Sequence, residues 1–175
     1  MAEDFGQKPF GLHEVLLTNL AGSEQVALPA SRVLKFKERV KSAEFTGDDL
    51  LQGVHTISEA VEFELESGGI GLDAYALVTG RDTTPTGSTP NRVVTLSGAG
   101  AEPYPYFKVY GKVLDDGLGD IHCKLFKCKL TEPMEGSFSY GEFFVNSMKG
   151  IAIDDGTNGI FEFVQNETAD ELPAS

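Results

Sequence analysis

The side chains that could do chemistry near neutral pH are few: three histidines, His13, His55 and His122, and two cysteines, Cys123 and Cys128, in 175 residues. The histidines are scattered, and no serine stands in a nucleophile-elbow context, so neither half of a triad has a motif around it. His122, Cys123 and Cys128 share one predicted strand, where their spacing splays them away from a common zinc ion. Regular alternation puts the two cysteines, five positions apart, on opposite faces, which disfavours a disulfide and leaves buried, reduced thiols. The run Asp154-Asp155-Gly156-Thr157-Asn158-Gly159 has a superficial likeness to a calcium loop. However, Gly156 stands where a third ligand belongs and Gln165 where a bidentate Glu belongs, so it reads as a hairpin turn. No glycine-rich phosphate loop with a following Lys-Ser/Thr pair occurs. Glu62, Glu64 and Glu66 could serve acid–base chemistry only in a cleft that separates their pKa values; a regular ladder faced by lysines is a solvated charged face. The expectation is a protein that is not an enzyme and carries no metal or cofactor.

Those glutamates lead to the elements that position them. Over 33–45, Lys35, Lys37, Arg39 and Lys41 occupy one phase and Leu34, Phe36 and Val40 the other. Over 57–66, Ile57, Glu59, Val61, Phe63 and Leu65 alternate with Ser58, Ala60, Glu62, Glu64 and Glu66. One long helix over 33–45 competes, because Lys, Glu and Leu tolerate helices, but period-two alternation in both arms favours strands. Paired antiparallel, Lys35 faces Glu64, Lys37 faces Glu62 and Phe36 faces Phe63, each pair adding roughly 0.2–1 kcal/mol. A slip of one residue would set lysines against phenylalanines.

Residues 72–79 read as a two-turn helix, apolar nearly all round and therefore buried, closed by Gly80 in a left-handed cap. The segment 81–91 is a loop by composition, suited to contacting a partner. The fold is expected to begin at 12–17, with further strands at 26–28, 92–97, 106–114, 121–130, 136–140, 143–153 and 160–164. Residues 1–11 look like a flexible arm, 12–166 like one β domain and 167–175 like a frayed acidic tail. No repeat of solenoid or propeller length occurs.

Composition agrees with a mostly β chain. A hydrophobic content of 41%, with 20 Gly and 12 Phe, supports one core built from short strands and turns, a sandwich or barrel with one short helix. The net charge of −13, from 27 acidic and 14 basic residues, disfavours binding to nucleic acid through phosphate neutralisation. It suits solubility, or a surface that must not stick to a polyanion. The absence of Trp, with only 5 Tyr, disfavours a stacking platform for sugars. No window approaches the roughly 20 apolar residues of a membrane span, and 1–7 combines no basic and apolar stretch, so the chain is expected in the cytosol.

The order of these segments resembles the tail tube, or major tail, proteins of bacteriophages with long non-contractile tails. The resemblance spans about 33–166. It rests on Lys41-Ser42-Ala43-Glu44-Phe45-Thr46-Gly47-Asp48-Asp49, the acidic strand after it, Leu72-Asp73-Ala74-Tyr75-Ala76-Leu77-Val78-Thr79-Gly80, Tyr106-Phe107-Lys108-Val109-Tyr110-Gly111-Lys112-Val113, the strand from Lys124 to Leu130 with Thr131-Glu132-Pro133, Glu142-Phe143-Phe144 and Gly159-Ile160-Phe161-Glu162-Phe163. It implies a virion protein, assembled in the host cytoplasm, whose subunits form hexameric rings stacked into a tube for genome ejection, without a membrane. The partners implied are other copies, the tape measure, tail tip and terminator proteins, and double-stranded DNA passing without specific binding.

In such a ring, inward hairpins fuse into one barrel and remove sticky edges. The hairpin 33–66 would turn Lys35, Lys37, Glu62, Glu64 and Glu66 to the lumen, or, if the faces are reversed, to the subunit body. Asp48, Asp49, Leu50, Leu51 and Val54, in a loop between the strands, would contact a neighbouring subunit or ring, as would Phe5 and Phe10 of the arm and Arg81. Leu50 and Leu51 could equally be core. A tube protein of a contractile injection or secretion machine, and a monomeric β-sandwich binding module, are the alternatives.

Overall fold

The computed structural model describes residues 8–47, 50–69 and 71–173. In chain order the elements are β1 (Pro9–Asn19), β2 (Gln25–Ala27), β3 (Ser31–Gly47), β4 (Leu50–Gly68), α1 (Leu72–Thr79), β5 (Thr83–Thr86), β6 (Val93–Leu96), β7 (Phe107–Asp115), β8 (Asp120–Leu130), β9 (Glu135–Gly136), β10 (Val145–Ala152) and β11 (Phe161–Asn166). One antiparallel sheet runs β2-β1-β7-β8-β10-β4-β3, with β11 on β8 and β9 on β10; β5 and β6 form a separate pair. The sheet does not close into a barrel.

Instead it curls, sandwich fashion, so that the apolar phases of β1, β7 and β8 meet those of β4 and β10. Val15, Leu17, Phe107, Val109 and Leu125 from one half share a buried cluster with Phe63, Leu65 and Met148 from the other. Each such fully buried side chain contributes roughly 1.5–3 kcal/mol. Phe63 and Phe107 meet edge to face at 6.2 Å, a favoured aromatic geometry. Two glycines make the closeness possible. A methyl group on Gly111 of β7 would strike Leu34 of β3, and one on Gly150 of β10 would strike the Phe63 ring.

The helix closes one end of the sandwich with Ala74, Leu77 and Val78 in the same cluster. Gly80 caps it at φ 70°, its N–H donating to the Ala76 carbonyl, a conformation that suits glycine. It is not buried all round, since Asp73 is exposed and Leu72, Tyr75 and Ala76 are half-buried.

Several expectations need correction. Pro9, Phe10 and Gly11 are not arm but the start of β1, which pairs with β7. The segment 50–55 is not loop, because β4 begins at Leu50, which pairs with Gly47 at the end of β3. Within 81–91, Thr83–Thr86 pairs with Val93–Leu96, so threonine-rich β propensity prevails over the prolines. The strand expected at 136–140 shrinks to Glu135–Gly136, beyond which the chain turns through Gly141 at φ 81°.

Residues 154–159 do not form a hairpin turn. β10 and β11 both pair antiparallel with the same edge of β8, at Cys128–Leu130 and Asp120–Leu125 respectively, so the segment is an excursion between two strands running the same way. Asp155 shapes it, its carboxylate accepting the N–H groups of Thr157 (2.8 Å) and Asn158 (2.7 Å).

Finally, 167–173 does not leave the body. Leu172 is buried against Tyr110 and Phe126, the Ala169 N–H donates to the Leu118 carbonyl (2.6 Å), and Gln25 Nε2 donates to the Pro173 carbonyl (2.9 Å).

Candidate functional site

The hairpin β3–β4 adopts the register its charges call for: Lys35 opposite Glu64, Phe36 opposite Phe63, Lys37 opposite Glu62. Its proximal half is welded into the sheet, where β10 pairs with β4 from Gly68 to Val61. Past Val61 no third strand accompanies it among the described residues. The distal half is a free two-stranded ribbon of about ten residues per strand, projecting on the order of 30 Å, and every side chain described over 35–46 and 51–59 is exposed. Among the described residues, the outer edge of β3 is unpaired along its length and that of β4 is unpaired before Val61.

The ribbon carries apolar side chains into solvent: Phe36 is 50% exposed, Val54 58% and Phe45 67%. Phe36 still touches the body through Phe163, ring centroids 5.0 Å apart. A two-stranded ribbon of this kind is marginal on its own in water, and unpaired edges are templates for further pairing.

A β-bulge at Glu59 changes the expected facing. Arg39 stands opposite Ala60 but Val40 opposite Ser58, so β4 gains one residue and its phase inverts. Ile57 therefore lies on the side of Lys41, its partner, and not with Val61. The bulged Glu59 reaches Arg39 at 3.4 Å. The two faces of the distal ribbon thus differ in sign. Lys37, Arg39 and Lys41, with His55, stand on one, and Glu38, Val40, Glu44 and Val54 on the other.

The basic face continues over the sheet. Lys149 on β10 stands opposite Glu64, and Ile151 lies between Glu62 and Lys129 of β8. Lys127 and Lys129 lie over the Tyr106 ring at 5.3 and 4.8 Å; Lys108, Lys112 and Lys124 hold the same phase on β7 and β8, but there the sheet has curled to the other side of the core and the carboxy-terminal segment covers part of it. Of the 14 basic residues, Lys8, Arg32, Arg81 and Arg92 lie outside this phase, and Lys112, though in phase, is buried against Asp120. Partial neutralisation comes from Glu64 on Lys35 (3.1 Å), Glu132 on Lys149 (3.4 Å) and Glu162 on Lys124 (2.8 Å). A groove of about 820 Å³ runs along this face, lined by Lys35, Lys37, Arg39, Glu62, Glu64 and Lys149 among others.

Lys35, Lys37, Glu62, Glu64 and Glu66 are therefore brought together on one face. Leu51 and Val54 lie on the ribbon, exposed, and Leu50 begins β4. Asp48, Asp49 and Phe5 lie outside the described residues. Phe10 is exposed on β1, away from the ribbon pairing. Arg81 is held within its own subunit, half-buried, 3.4 Å from Glu102 and over the Tyr75 ring at 6.0 Å.

Sequence reasoning missed a buried polar cluster on Asp120. Its carboxylate accepts from Asn166 Nδ2 (2.7 Å) and the Asp170 N–H (2.9 Å), and lies 3.0 Å from His122 Nε2 and 3.2 Å from Lys112 Nζ. Lys112 also donates to the Asp170 carbonyl. Burial pushes the Asp120 carboxyl up, but the hydrogen bonds from Asn166, Asp170, His122 and Lys112 together hold it down at about 2. The cluster pins the carboxy-terminal segment to the sheet.

Cys123 and Cys128 are both buried in the main core, on the same face. The expectation of opposite faces fails because Phe126 and Lys127 form a bulge against Lys108, shifting the phase of β8 between the two cysteines. They are free thiols, and burial pushes that of Cys123 up to about 12. Among the described residues, no three His, Cys, Asp or Glu side chains converge to hold a metal ion. No described helix is long and apolar enough to cross a membrane.

No protein-family model matches the chain, and no curated protein matches it in sequence. Among solved structures, the tube-terminating cap of the anti-feeding prophage, seen by cryo-EM, is similar with a TM-score of 0.51 and 13% identity. The alignment covers 90% of this chain and 92% of that one. At such identity the likeness is one of fold: a mostly β chain with one short helix and a curled antiparallel sheet.

Proposed function

We propose that the chain is a structural subunit of a phage-like tail or injection tube, not an enzyme, and that its copies close into rings through the β3–β4 ribbon. The observation that carries this reading is the ribbon itself, with two free edges and apolar side chains on a body that is otherwise well packed. If the β3 edge of one copy meets the distal β4 edge of the next, both edges are satisfied at once. Repeated around a closed ring, the contact leaves no edge over. The fold shared with a tube-terminating cap supports the same reading. In its finer form, the one the family resemblance suggests, six copies form each ring and stacked rings make a conduit for DNA on its way into a host.

A second reading, favoured by that same solved structure, is a terminator that forms one ring and stops the tube. Sedimentation velocity over a concentration series separates the two. A tube protein gives a growing ladder of species, a terminator gives one ring-sized species, and a monomeric binding module gives neither. Replacing Ser42 and Ala43 by Pro together removes an outward N–H from the β3 edge whichever residue supplies it, since successive amides alternate in direction. The double variant should stay monomeric while its body melts within a few degrees of wild type; assembly that survives it would contradict edge pairing.

A further inference from the structure

The negative net charge suggests a protein that repels nucleic acid, but the charges are segregated. On the distal ribbon, Lys37, Arg39 and Lys41 share one face, while Glu38 and Glu44 share the other. Among the described residues, Lys37 and Lys41 enter no ion pair. The same face carries Lys127, Lys129 and Lys149 across the adjoining strands. Screening sets the range over which charge is felt, about 8–10 Å at physiological ionic strength. Glu62, Glu64 and Glu66 share this phase on the proximal hairpin and offset part of its charge, so the excess of positive charge lies toward the distal ribbon, around Lys37 and Lys41. A polyanion laid there meets those lysines, while acidic groups on the far side of the sandwich are largely screened.

We propose that this lysine-bearing face of the ribbon and sheet attracts the phosphate backbone of duplex DNA, weakly and without regard to sequence. The apolar phase of the proximal hairpin, Leu34 and Phe63, faces its own subunit's body, so the lysine phase is the one left to face a bore. No side chain here is arranged to read base edges, and point-charge lysines contact phosphate without specifying sequence. Such a wall would hold DNA transiently and let it slide, since each contact exchanges readily for the next. The inference deepens the tube reading but is separable from it, because the face exists on a single copy.

The test is fluorescence anisotropy of a short labelled DNA duplex against dilute protein across a salt series, for wild type, Lys37→Gln/Lys41→Gln and an Arg92→Gln control. Wild type should bind at low salt, with log affinity falling linearly with log salt. The double variant should bind about tenfold more weakly and lose about 2 from the magnitude of that slope. Its melting temperature and self-association should be unchanged, and the control should match wild type. No salt-dependent binding by wild type, or equal binding by the double variant, would overturn the proposal. So would a double variant that loses self-association and keeps its DNA affinity, which would make the face a contact between copies. A wild type that binds DNA through these lysines but never assembles would sink the ring reading and leave this one standing.

Discussion

Asp120 is the residue on which the carboxy-terminal segment depends. Fully buried, it gathers Asn166, the Asp170 N–H, His122 and Lys112 around one carboxylate. Its folded pKa of about 2 lies below the ordinary 3.8, so the ionised carboxylate stabilises the fold. That contribution is complete above about pH 4 and is lost as pH falls through about 2. Asp120→Asn should cost on the order of 3 kcal/mol at neutral pH, because it leaves Lys112 with a weaker partner in a buried site. Urea midpoints measured between pH 7 and pH 2 should fall more steeply at the acid end for wild type than for the variant; parallel curves would mean that the carboxylate charge is not what holds the segment. None of this was legible in the sequence, because the partners come from β7, β8, β11 and the tail, and only folding assembles them. The same holds for the bulges at Glu59 and Phe126-Lys127, which insert a residue without any Gly or Pro to announce it.

At the scale of elements, the hairpin was the most legible part. Its register could be read because alternating charge and apolar phases penalise a one-residue slip at every position. What alternation could not reveal is where the third strand stops. β10 accompanies β4 only as far as Val61, and nothing in 50–60 differs in pattern from 61–68 strongly enough to mark the boundary. The helix and its Gly80 cap were legible for a similar local reason, whereas the strand order was not, since β1–β7 and β4–β10 pairings join distant segments.

The half-welded hairpin makes a prediction of its own. In dilute protein, amides over 39–46 and 51–58 should exchange with deuterium far faster than those of Phe63 and Leu65. Concentrating the protein to assembly should slow the first group by at least about tenfold and leave the second unchanged. Equal exchange at both concentrations would remove the ribbon from the interface.

For the whole molecule, charge and edge exposure point the same way. The fold is a sandwich that completes its own core yet leaves one ribbon, with two open edges and one basic face, outside it. Composition could indicate the β class and exclude the common catalytic motifs. It could not show that a net charge of −13 hides a face where most of the lysines stand, because that segregation follows from the sheet's alternation across five strands. The proposed ring contact uses that ribbon, and the likeness to a tube-terminating cap is one of fold.

Negative-stain electron microscopy of the concentrated, purified protein tests that conclusion most directly. Closed rings, alone or stacked into tubes, with the ribbons directed inward, are the predicted result; a sample that stays monomeric and free of rings at every concentration would contradict it.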